Sequence, residues 1–92
     1  MCHYEMMVIL PVEEELQKTG REQLQSDLAA HNVEVENVTE IGDRELAYEI
    51  GKHRRGKYVL FNLKLDGSVI AALGKAFKLN ENLIRHLFVK TG

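Results

Sequence analysis

The run KHRRGK, Lys52 to Lys57, places four fixed positive charges within six residues. Guanidinium and ammonium groups at that density take phosphate oxygens. Tyr58 follows the run directly, and a ring of this kind stacks on unpaired bases. These residue types suit the binding of RNA. The other reactive side chains do not converge. His3, His31, His53 and His86 fall on different segments, and no two stand at i, i+4 on a helix. The one cysteine, Cys2, permits neither an internal disulfide nor a multi-cysteine zinc site, and it lies near the chain start, where neighbouring His3 points to the other side of the strand and is not set to activate the thiol. Gly51 and Gly56 bracket a connection and open no helix, so a nucleotide-binding phosphate loop is absent. No metal, no cofactor and no catalysis are expected.

The positive run is unusual in its context. The 92 residues carry a formal net charge of −2. Residues 1–49 hold 12 acidic and 3 basic side chains, whereas residues 50–92 hold 9 basic and 2 acidic. If the halves reach different surfaces, one surface attracts a polyanion although the whole is acidic. If they do not, the charges pair within the molecule. The length suits one domain, residues 1–92, with a single core. No apolar run approaches the roughly 20 residues that span a bilayer, and no basic-then-apolar leader is visible. With the lone cysteine, this favours a cytoplasmic setting.

The elements that must position these residues follow from periodicity. HYEMMVIL alternates, with Tyr4, Met6, Val8 and Leu10 on one side and His3, Glu5, Met7 and Ile9 on the other, as a strand does. Residues 13–31 form an amphipathic helix on Leu16, Leu24 and Leu28, weakened at Gly20. Residues 33–50 read as one long strand whose phase slips near Val38 and Gly42, where a bulge is expected. Residues 51–56 connect it to a third strand, KYVLFNLKL, in a hairpin. Ser68 caps a second helix built on Val69, Leu73 and Phe77, and LIRHLFVK is the last strand. The order β-α-β-β-α-β predicts an α+β, ferredoxin-like fold. Its four-stranded antiparallel sheet should run fourth, first, third, second strand, with both helices on one face.

The other sheet face is then uncovered. It should carry Glu5, Met7 and Ile9, then Tyr58, Leu60 and Asn62, then Arg85, Leu87 and Val89. An apolar patch without a cover marks an interface. Beside a basic hairpin tip it fits RNA, and equally a homodimer that buries two such faces. His86 should face the helices as a hydrogen-bonded core residue. The second strand is an exposed edge bearing Glu34, Glu36, Glu40, Asp43, Arg44 and Glu45, charges that discourage strand pairing. Ferredoxin-like folds also serve ligand-sensing regulatory homodimers, so this remains the alternative.

At GDRELAYEIGKHRRGKYVLF, residues 42–61, the chain resembles the family of bacterial small-subunit ribosomal protein six. That family's signature reads roughly G-x-R-x-LAYPI-x-K, a short loop, then G-x-Y and an apolar strand. The opening HYEMMVIL is similar to the family's first strand. The closing LNENLIRHLFVK, with Asn82, Leu83, Ile84 and Arg85, is similar to its ending. The resemblance implies a structural protein of the small subunit's platform. It implies binding to the central domain of 16S ribosomal RNA in a heterodimer with ribosomal protein eighteen. On that basis RNA is expected at Tyr4, Arg44, Lys52, Arg54, Arg55, Lys57, Tyr58 and Arg85, and the protein partner at Leu46, Tyr48, Leu60 and Leu87. Without its partner the chain should be a monomer or a weak homodimer. Three positions depart from the family pattern: Glu49 stands where proline is usual, Glu45 where a second arginine is frequent, and Cys2 where a basic residue is common.

Overall fold

The computed structural model describes residues 1–92. Four strands and two helices follow one another as β1 (Cys2–Leu10), α1 (Glu14–Ala30), β2 (Glu34–Ile50), β3 (His53–Leu65), α2 (Ile70–Lys78) and β4 (Arg85–Lys90). The sheet order is β2-β3-β1-β4 and every pairing is antiparallel. This is the expected order, read from the opposite edge.

Alternation decides what each face does. Met6, Val8 and Leu10 of β1 and Val59, Phe61, Leu63 and Leu65 of β3 point to one side. There they form one cluster with Leu24 and Leu28 of α1 and Leu73 and Phe77 of α2. Both helices therefore cover the same sheet face. Removing a side chain of this size from water stabilises by about 1.5–3 kcal/mol, so this cluster drives folding.

Four local readings are corrected. Leu16 is 42% exposed. At 3.6 residues per turn it lies about 120° around the helix from Leu28, outside the buried stripe. Asp66, not Ser68, opens the second helical segment: its carboxylate accepts from the Ser68 backbone N–H at 3.0 Å, before a 3₁₀ turn over Gly67–Val69. That bond holds the Asp66 carboxyl below its ordinary pKa. His86 does face the helices, but its ring packs on Phe77 and Phe88, with centroids 5.1 and 5.9 Å away, rather than on a hydrogen-bond partner. The expected six-residue connection is only the turn Gly51–Lys52, because β3 already begins at His53.

Two features shape the sheet end where the basic run lies. β2 is continuous but slips register between Val35 and Asn37, between Glu40 and Gly42, and between Glu45 and Ile50. The second slip is the bulge expected near Gly42. At the third, residues 46–49 of β2 face only Arg54 of β3, and the surplus lets this end of β2 curl. Gly56 is buried within β3, and a Cβ there would overlap the Ile9 side chain. Glycine at 56 thus serves close approach, not a loop.

Candidate nucleic-acid and protein interface

Strand register arranges the uncovered face in rows. Leu60, Met7 and Leu87 lie side by side across β3, β1 and β4. The next row is Tyr58, Ile9 and Arg85; on the other side stand Asn62, Glu5 and Val89. Leu87 is 61% exposed, whereas Met7, Tyr58 and Leu60 are half-buried. Ile9 is the exception. It belongs to this face, yet it is only 8% exposed. Its side chain reaches over Gly56, and Leu46 approaches the same spot. The curled end of β2 therefore covers the end of a face that alternation alone leaves bare.

Tyr48 continues that cover. The Arg85 guanidinium donates from Nη1 to the Tyr48 hydroxyl oxygen at 2.9 Å. This joins the distal end of β2, one edge strand, to β4, the other edge strand. The sequence places Tyr48 with a protein partner and Arg85 with RNA, whereas the fold brings the two into contact. The one available signal was Gly56, a buried strand glycine that read as loop punctuation.

The basic run does not form a single tip. Lys52 is at the turn and exposed. Arg54 extends into solvent with its Nε 3.1 Å from the Glu49 carboxylate. Arg55 is exposed and stands opposite Glu45 in the ladder. Lys57 alternates to the helix-facing side, opposite Leu10, and its ammonium lies 3.7 Å from Glu40. Glu40 also accepts from both terminal nitrogens of Arg21 on α1. The Arg21 bond pushes the Glu40 carboxyl below its ordinary pKa, and Glu40 raises that of Arg21 in turn.

The remaining candidates separate by face. Arg44 pairs with Gly56 across the ladder, beside the uncovered face, and its guanidinium donates to the neighbouring Asp43 carbonyl at 3.4 Å. Tyr4 lies on the helix-facing side, edge-on to Phe88 at 6.5 Å, opposite the side that holds Tyr58. Geometry thus brings Arg44, Leu46, Tyr48, Lys52, Arg54, Tyr58 and Arg85 to one end of the sheet, with Arg55 at the same end but alternating to the side that Lys57 occupies. Leu60 and Leu87 form the adjoining apolar row, and Tyr4 and Lys57 lie on the far face. No three His, Cys, Asp or Glu side chains are grouped to hold a metal ion. What the arrangement offers is a surface: an aromatic ring, aliphatics and exposed cations side by side.

Comparison with known proteins places this surface in context. The family model described as Ribosomal protein S6 matches residues 3–90. The small ribosomal subunit protein bS6 of Treponema denticola is 44% identical over 90 residues, covering 98% of this chain and 97% of that one. The bS6 protein of Halalkalibacterium halodurans is 42% identical over 92 residues, with the same shares covered. Among solved structures, 30S ribosomal protein S6 from Thermotoga maritima superposes with a TM-score of 0.84 at 24% identity. It covers 98% of this chain and 87% of that chain and shares the fold.

Proposed function

This chain belongs to the ribosomal protein S6 family, and we propose that it binds the central domain of 16S ribosomal RNA in a heterodimer with ribosomal protein eighteen. It is a protein of the small ribosomal subunit, acts in the cytoplasmic ribosome and is not an enzyme. Membership sets aside the ligand-sensing homodimer that the residues alone left open.

One observation carries the finer reading. The row Tyr58, Ile9 and Arg85 lies beside the Gly51–Lys52 turn, so a ring, an arginine and the exposed cations Lys52, Arg54 and Arg55 share one sheet end. Phosphate contacts fix position on an RNA, and a ring next to them takes an unstacked base. The adjoining row of Leu60, Met7 and Leu87 is apolar and only partly covered, which suits a protein partner. Isolated, the chain is a monomer or a weak homodimer, because the acidic β2 edge repels a second copy. The test is binding of a central-domain RNA fragment to this chain with ribosomal protein eighteen, set against each protein alone. Tight binding by the pair only is the expected result; equal RNA affinity with and without the partner contradicts it.

A further inference from the structure

The cations of this molecule are held in different ways. Arg54 lies against a carboxylate, Glu49, and Arg21 and Lys57 share another, Glu40. A carboxylate orients a cation but also neutralises it. Arg85 is held by the Tyr48 hydroxyl oxygen instead, and a phenol carries no charge at neutral pH. Arg85 is thereby oriented with its full charge left for another anion. A guanidinium has five N–H donors, and the bond to Tyr48 occupies one of them.

Tyr48 reaches this place through the fold. The surplus residues of β2 between Glu45 and Ile50 let the strand curl. Leu46 settles near Gly56 and Ile9, and Tyr48 follows two residues later, 64% exposed. The ring is thus outside the core, and its hydroxyl is its bonded contact to β4. We propose that Tyr48 is a positioning residue: it fixes the Arg85 guanidinium to receive a phosphate of the RNA. This rests on the RNA-binding reading above and assigns Tyr48 to the RNA rather than to the protein partner.

The experiment measures binding of a central-domain 16S RNA fragment to the chain with ribosomal protein eighteen, across several salt concentrations. Tyr48→Phe removes one oxygen from an exposed ring; a thermal melt establishes that the fold is kept. It should weaken RNA binding about three- to tenfold, the effect of one hydrogen bond, and leave the salt dependence unchanged because no charge is lost. Arg85→Ala should weaken it at least as much. The double variant should be no weaker than Arg85→Ala alone, since Tyr48 acts through Arg85. Arg85→Lys should keep the salt dependence without the affinity, because an ammonium lacks the planar fork. Loss with Arg85→Ala but not with Tyr48→Phe, or losses that add in the double variant, overturns the positioning role and leaves Arg85 as an RNA contact. No loss with Arg85→Ala overturns both at this residue. Charge reversal at Arg54 and Arg55 then shows whether RNA binding itself survives as a reading.

Discussion

His86 is half-buried on the helix-facing side of β4, with the Phe77 ring edge-on to it. Burial, helped by the positive charge of Lys78, pushes its pKa below the ordinary 6.5. Below that pH the unfolded chain takes up a proton that the folded chain resists, so the unfolded state binds more protons and gains. The contribution of neutral His86 is therefore complete above pH 6.5 and declines as the pH falls toward the folded-state value. His86→Phe should flatten the loss of thermal stability between pH 7 and pH 5 relative to the parent chain; an unchanged profile contradicts this. A second residue-scale prediction concerns Gly20, which in isolation reads only as a weak point of α1. A Cβ there would run into the Asn82 backbone, and the Gly20 carbonyl accepts from the buried Asn80 side chain at 2.9 Å. Gly20→Ala, favourable by helix propensity, should instead destabilise by about 1–3 kcal/mol through overpacking. Urea denaturation measures it, and a gain in stability would show that α1 shifts freely.

At the scale of elements, β3 joins the core and the surface. Phe61 and Leu63 face the helices, and Leu60 faces the uncovered side between Met7 and the register partner Thr39 of β2. Leu60→Asp should leave the fold intact, since this side chain is only half-buried in the isolated chain. It should weaken association with ribosomal protein eighteen by tenfold or more, because a carboxylate buried without a partner is costly. Calorimetric titration decides, and undiminished affinity removes Leu60 from the interface. The facing of these residues was legible in the sequence because a period of two is a local property of β1 and β3, and the strand order because it follows from the element order β-α-β-β-α-β. The curled end was not, because its causes are non-local. Gly56 is required by Ile9, far away in sequence, and the bond from Arg85 reaches back 37 residues to Tyr48. Capping was misread for a different reason: Asp66 and Ser68 are both good capping types, and only the backbone geometry separates them.

For the whole molecule, the charge division of the sequence does not become two charged hemispheres. The sheet order β2-β3-β1-β4 interleaves strands from the acidic and the basic half. Both outcomes open at the level of composition occur together. Lys57 reaches Glu40 and Arg54 reaches Glu49, which pairs the halves. Lys52, Arg55 and Arg85 make no ion pair and stand toward one sheet end, exposed. Glu45 and Glu49, the acidic departures from the family pattern, stand at the same end and temper its potential. The central claim is that this end meets RNA phosphate. Each phosphate contact contributes about 0.7–0.9 to the slope of log affinity against log salt. The most direct measurement is the affinity of the pair with ribosomal protein eighteen for central-domain RNA over a range of salt, with and without Arg54→Glu and Arg55→Glu together. The account predicts a lower affinity and a flatter slope for the double reversal, with the fold retained; identical affinity and identical slope would contradict it.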